Sequence, residues 1–293
     1  MKRLIVNADD FGMAASINTG ILEAHRSGIV TSTTLMANGA AFVDAVTLAK
    51  SAPELGVGVH LNLTQGQPIS SPDSVVSLVD KNNKMFRQPA ILWGEIALGR
   101  LDLSEVEREL SLQIEFVRDT GIAITHLDGH KHIHMLPAIH KIVLRLASKY
   151  GIPAVRTAVE YPLELAPLLR QNRQNAPRIF MQYIQSRTLA RLAVGSSARL
   201  KQAGVQTPAF FFGITQTGFL KAEELSMILK SIPEGTSELM CHPGQSDPTL
   251  ERGLTRLREE RQSELDALTS PEIIQLISQL GIQLCSYRGL GAA

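Results

Sequence analysis

Two adjacent carboxylates, Asp9 and Asp10, close the short apolar run Leu4-Ile5-Val6 and stand directly before Phe11-Gly12. Like charges side by side raise each other's proton affinity, and burial at a strand end adds to that cost. A metal ion or a reaction is the usual compensation; the competing reading is a helix cap or a surface turn. Matching partners occur downstream: His60 in Gly58-Val59-His60-Leu61-Asn62-Leu63, a histidine-rich run from His126 to His134, and His242 before a Pro-Gly turn. One carboxylate with two neutral imidazoles can hold a divalent ion and leave positions open for water and substrate. Water on such an ion is acidic enough to attack a carbonyl carbon near neutral pH. A neighbouring carboxylate can take its proton, and an acid opposite can protonate a leaving nitrogen. These residue types predict metal-assisted hydrolysis.

Such side chains act together only if the fold brings them together. Short β-type runs at 4–9, 30–36, 56–63, 122–128, 154–157, 209–214, 238–242 and 282–286 alternate with amphipathic helical patterns at 17–26, 43–51, 103–118, 138–149, 222–230 and 271–280. Ser270-Pro271-Glu272 is a helix start, and Gly121, Gly151 and Gly281 sit where helices should end. The alternation implies a mostly parallel sheet covered by helices. About eight strands suit a distorted (β/α) TIM-like barrel in a single domain spanning 1–293. The competing open sheet lacks its Gly-x-Gly-x-x-Gly fingerprint after the first strand. Residues 65–84 read as a long loop, and the basic stretch 161–206 reads as a helical insertion.

In this arrangement the unusual polar residues fall at the C-terminal ends of strands, the rim where barrel enzymes build their sites. Asp9 and Asp10 end the first strand, His60 and Asn62 the third, His126 and Asp128 the fourth with His130 just beyond, Arg156 the fifth and His242 the seventh. Within 126–134 the spacing alone does not choose a ligand. A site needs two histidines, so His126, His130 and His132 divide between ligand, supporting and substrate-facing places. Arg156 is a candidate to steer Asp9 or hold a substrate oxygen, with a structural ion pair as the alternative. His242 suits a general acid by position and by the ordinary pKa of imidazole. His140 reads as structural, His25 as solvated, and Cys241 as core, on the opposite face of its strand from the site. No Gly-x-Ser-x-Gly nucleophile elbow is present. Trp93, Phe211 and Phe212 are candidates for sugar stacking or for core.

The bulk numbers exclude several classes. With 293 residues, 44% hydrophobic content and a net charge of +1, the chain can bury a large core and has no broad field favouring nucleic acid or anionic lipid. No apolar run approaches the ~18 residues of a membrane span. The apolar stretch after Met1-Lys2-Arg3 is shorter than the ~7–15 residues of a secretory signal, so a cytoplasmic location is expected. Two cysteines are too few for a disulfide framework.

The blocks Val6-Asn7-Ala8-Asp9-Asp10-Phe11-Gly12, 28–34, 58–64, 125–135 and Met240-Cys241-His242-Pro243-Gly244 occur in the order and form in which they resemble the YdjC-like carbohydrate deacetylases, the group of chitooligosaccharide and hopanoid-associated deacetylases. The combination is specific; a single block is weak. The resemblance implies a distorted barrel that removes acetyl groups from N-acetylated oligosaccharides or related amino sugars. It implies Asp9 as base, Asp10, His60 and His130 as ligands of a metal, usually magnesium, and His242 as acid. It further implies a homodimer. Asp/His sites also accept zinc and other divalent ions. Arg156, His126, Asp128, His132 and Asn62 are left as substrate-binding or supporting residues. Two other readings compete: a metal-dependent sugar isomerase or epimerase, which would place more carboxylates on the rim, and a non-catalytic sugar-binding protein with a residual metal site.

Overall fold

The structure, a computed structural model, describes residues 1–85, 88–248, 250 and 255–290. Its strands in chain order are β1 (Lys2–Phe11), β2 (Ser32–Leu35), β3 (Gly56–Leu61), β4 (Ile124–Gly129), β5 (Phe210–Phe212), β6 (Gly235–Cys241) and β7 (Gln283–Leu284). Every position of β1 from Leu4 to Phe11 is buried. A run buried on both faces belongs to a central parallel strand. β1 is accordingly flanked by β2 and β6 in the parallel order β4-β3-β2-β1-β6-β5, and β7 pairs the first part of β1.

The sheet curls until its two edges meet. Single bridges join Leu127 to Val155, Ala154 to Gln206 and Glu160 to Phe211, which links the free edge of β4 to that of β5. The result is a distorted TIM-like barrel in one domain. The segment 154–157, expected as a fifth strand, is reduced to these bridges. Ala154 pairs one neighbour and Val155 another, so no ladder with a single strand develops. His242 therefore follows the sixth strand rather than the seventh.

The helices are α1 (Ala15–Arg26), α2 (Phe42–Lys50), α3 (Pro89–Ala97), α4 (Leu103–Arg118), α5 (Pro137–Tyr150), α6 (Leu165–Gln171), α7 (Ala176–Leu192), α8 (Ser196–Gln202), α9 (Ala222–Ser231), α10 (Glu259–Leu268) and α11 (Pro271–Gln279). Ser270 caps α11 by accepting from the Ile273 amide, and Gly151 ends α5 in the left-handed conformation. The stretch 161–206 carries α6, α7 and α8. α10 has no clear apolar stripe, because it buries Arg261 and Glu264 beside Leu265 and Leu268. α1 packs directly on the turn after β6. A Cβ on Gly20 would lie 2.5 Å from the Gly244 Cα, so only glycine permits this approach. His25, expected to be solvated, instead makes a 2.8 Å hydrogen bond between Nδ1 and the Val30 carbonyl. Among the described residues no helix is long and apolar enough to cross a membrane.

Candidate active site

Successive side chains of a regular strand point to opposite faces. Asp9 and Asp10 nevertheless line one cleft. The cause is a register shift between Ala8 and Phe11 in the β1–β2 pairing, with Asp10 in the left-handed region at φ 71°. A bulge of this kind re-aims a side chain, and Asp tolerates that backbone better than most residues. A second irregularity does the same after β4. In the turn His130–Met135, Lys131 and His132 take φ 53° and 58°, which brings His130 and His132 to the same cleft.

Below the cleft lies a buried charge network centred on Arg156, which has no exposed surface. Its Nη1 and Nη2 each donate to one oxygen of Asp9 at 2.7 Å. Nη1 also lies 2.7 Å from Asp128 Oδ2, and Nε donates to Glu238 at 2.9 Å. Tyr287 donates to the other Glu238 oxygen at 2.6 Å, and Asn7 donates to Asp9 at 2.9 Å. Burial alone would raise the Asp9 pKa, but the paired guanidinium outweighs it and holds the carboxyl below the ordinary range. Burial raises Glu238 to about 7 against the pull of Arg156.

Above it, the Asp10 carboxylate, His60 and His130 come together. Asp10 Oδ1 is 3.0 Å from His130 Nδ1 and 3.4 Å from His60 Nε2, and Arg261 Nη2 donates to Oδ2 at 2.5 Å. His60 Nδ1 is 2.7 Å from Asp128 Oδ1, and Thr34 donates to Oδ2 at 3.1 Å. A carboxylate on one imidazole nitrogen fixes the ring and frees the other nitrogen for a cation. Burial disfavours the charged imidazole, yet Asp128 and Asp10 outweigh it and raise His60 to about 10, so a cation binding at Nε2 would displace a proton there. Ligand atoms of Asp10, His60 and His130 lie within 4.8 Å of one another, and so do those of Asp9, His60 and Asp128. The two groups differ in what already neutralises them. Arg156 binds both carboxylates of the second, whereas in the first Arg261 holds one oxygen of Asp10 and the His130 Nε2 is buried without a hydrogen-bond partner. The donor set of the first group fits a divalent ion.

The cleft has a volume of about 820 Å³, within the range of ~300–1,000 Å³ usual for small-molecule sites. His242 and His132 line it beside the two aspartates. Burial lowers His242 to about 4 and His132 to about 3, so both are neutral near pH 7. The His242 amide is anchored to Glu264 at 2.5 Å.

Two expected site residues are placed elsewhere. Asn62 is fully buried and spends its side chain on Asn38, Gln65 and Thr64, which pins the turn after β3 instead of facing the cleft. His126 points deeper into the barrel, where its ring stacks on Tyr287 at 3.6 Å; Gly58 leaves the space, since a Cβ there would come 2.6 Å from the ring. Asp128 and Arg156 act on the site through His60 and Asp9. Phe211 and Phe212 are core, and Trp93 is exposed on α3. His140 bonds Ser196 and the His134 carbonyl, as a structural residue does. Cys241 is buried core.

Sequence reading missed Arg261, Glu238, Thr34 and Tyr287. Glu238 and Thr34 lie within strands already recognised, and period-2 alternation with Met240 or Ser32 was the available signal. Arg261 and Tyr287 had none.

A curled parallel sheet with a carboxylate–imidazole cluster at the carboxyl rim defines an enzyme-type barrel site. The chain belongs to the YdjC-like protein family, whose profile matches residues 3–279. It is 35% identical over 288 residues to a carbohydrate deacetylase of Geobacillus stearothermophilus, covering 97% of this chain and 96% of the relative. It is 35% identical over 291 residues to a chitooligosaccharide deacetylase of Yersinia enterocolitica, covering 98% of each. A crystal structure of an Enterococcus faecalis protein superposes with a TM-score of 0.78 at 30% identity, covering 98% of both chains.

Proposed function

We propose that this protein hydrolyses the acetamide of N-acetylated sugars, releasing acetate and an amino sugar. The observation that carries the reading is the pairing of an Arg156-held, ionised Asp9 with the Asp10–His60–His130 donor set in one cleft. Two relatives aligned over nearly their full length bear deacetylase names, which supports it.

A divalent ion held by Asp10, His60 and His130 would polarise the amide and acidify a water molecule. The rest falls to the chain's own residues. Asp9, locked in orientation by two hydrogen bonds, takes the proton from the attacking water. His242 enters as neutral imidazole, because burial keeps its pKa near 4. The proton that Asp9 takes from water is delivered through His242 to the leaving nitrogen as the C–N bond breaks, which returns Asp9 to its carboxylate and His242 to its neutral form. His132 stays neutral and lines the wall. For metal identity, the family resemblance implies magnesium, whereas two imidazole donors suit a first-row transition ion.

The test is acetate release from short N-acetylglucosamine oligosaccharides by chelator-treated protein, with magnesium, zinc, cobalt or manganese added back. Metal-restored acetate is expected, and the most effective ion identifies the cofactor. No acetate from any acetylated sugar with any of these ions would sink the reading.

A further inference from the structure

Arg261 of α10 takes no part in the proton transfers, yet it reaches the site and is fully buried. Three contacts fix its guanidinium. Nε donates to the Leu257 carbonyl at 3.2 Å, Nη2 donates to Asp10 Oδ2 at 2.5 Å, and Nη2 also lies 3.4 Å from the Thr255 hydroxyl. Its backbone and stem are fixed as well. The Gly244 amide donates to the Arg261 carbonyl at 3.2 Å, and a Cβ on Gly244 would lie 3.2 Å from Arg261 Cδ. One turn along, Glu264 accepts from the amides of His242 and Gly218. The same stretch of α10 thus grips the turn after β6 and the Asp10 carboxylate.

Two features set this arginine apart from Arg156. Arg156 divides its charge among Asp9, Asp128 and Glu238. Among the described residues Arg261 forms an ion pair with Asp10 alone, and its Nη1 is buried without a hydrogen-bond partner. Glu264, on the same helix, spends its two oxygens on backbone amides. The charge of Arg261 therefore bears chiefly on Asp10. The second feature is which oxygen it takes. Oδ2 goes to the guanidinium, while Oδ1 is the oxygen that faces both imidazoles, 3.0 Å from His130 Nδ1 and 3.4 Å from His60 Nε2.

Both features act against tight cation binding. A carboxylate that offers one oxygen supplies less charge than one that offers two, and a guanidinium beside it repels a further cation. A divalent ion that is less neutralised by its ligands keeps more of its charge to polarise an amide and acidify water.

We infer that Arg261 is a positioning residue that leaves Asp10 one free oxygen and part of its charge, so that the site holds its cation less tightly and activates water more strongly. This rests on the metal-assisted reading of the Asp10–His60–His130 group.

The experiment measures zinc and magnesium affinity by calorimetry on chelator-treated wild type, Arg261→Met and Arg261→Lys, together with acetate release at saturating ion. Arg261→Met is expected to bind the ion about tenfold more tightly and to lower kcat about tenfold. The ion should also raise the Tm of this variant by more than it raises that of wild type. Arg261→Lys keeps a cation beside Oδ2 and returns both affinity and kcat toward wild type. If Arg261→Met does not fold, Arg261→Gln, neutral yet able to donate to Oδ2, takes its place with the same expected signs. A merely structural role gives the opposite sign, because a loosened Asp10 binds the ion more weakly, and that result overturns the inference. Tighter binding with unchanged kcat, or equal effects of Met and Lys, overturns it too. Ion affinity is read without substrate and so separates the two readings. If wild type releases no acetate from any sugar, tighter binding by Arg261→Met still supports the inference and weaker binding removes it. If wild type binds neither ion, the metal-assisted reading falls and the inference with it.

Discussion

Asp9 and Asp10 are consecutive residues, yet Asp9 meets one guanidinium with both of its oxygens while Asp10 meets two imidazoles and an arginine from the opposite wall. The Asp9 side is a closed network: Arg156, Asp128, Glu238 and Tyr287 satisfy one another in the barrel interior. The Asp10 side is open: His130 Nε2 and Arg261 Nη1 are buried without hydrogen-bond partners. A closed network fixes a geometry, and an open one is able to take a ligand. The site needs both, because a base must be held still while a cation and a substrate come and go.

The comparison is broken most severely at Arg156. Arg156→Met leaves three buried carboxylates without their shared cation, and a loss of about 3–5 kcal/mol in unfolding free energy is expected from urea denaturation. A variant of near wild-type stability would show that the network is not what holds this end of the barrel. Next in size is Asp9→Asn. Turnover should fall by roughly 10²–10⁴-fold while metal content by elemental analysis is unchanged. Near-normal rates would remove Asp9 as base.

Metal affinity sharpens the contrast from the open side. His130→Ala should lower metal occupancy outright, and unchanged occupancy would move that donor to His132. Asp128→Asn, which loosens His60 without touching the ion, should weaken metal binding by about 10–100-fold in a chelator competition.

The smallest effect is on stability against pH. Burial holds His132 near 3 and His242 near 4, and keeps His126 and His134 well below the ordinary value. Below about pH 6.5 the unfolded chain takes up protons at these positions that the folded chain refuses, so stability falls with acid. Glu238 and Glu264 act in the opposite sense, since burial raises both to about 7 and the folded state binds their protons first. These imidazoles, with His130 and His140 lowered in the same direction, outweigh the two carboxyls, and His60, raised to about 10, acts mainly above this interval. The Tm of chelator-treated protein should therefore drop between about pH 6.5 and 4.5; a rise over that interval would show that the histidines are solvated.

Much of this was legible in the chain. Apolar runs ending in Asp, His or Arg placed Asp9, Asp10, His60, His130, His132 and His242 on one rim, because in a parallel barrel the strand ends converge whatever lies between them. Asn62 and His126 were read onto that rim by the same rule, and it misplaced them. Period-2 patterning gives the face of a side chain but not its depth, and His126 lies one pair of residues further down the barrel from Asp128. α10 escaped because its buried side includes Arg261 and Glu264, which erase the apolar period that marks a helix.

The sequence by itself determined the alternation of strands and helices, the carboxylate pair, and the supply of imidazoles for a metal-assisted site, since these depend on residue type and local period. Only the tertiary structure decided how the two aspartates divide their roles. The bulge that turns Asp10 toward Asp9, the Arg156 contact across 147 positions and the Arg261 contact across 251 are long-range events that no local pattern encodes. Charge pairing in a buried interior depends on which distant side chains arrive there, and that is fixed by closure of the barrel.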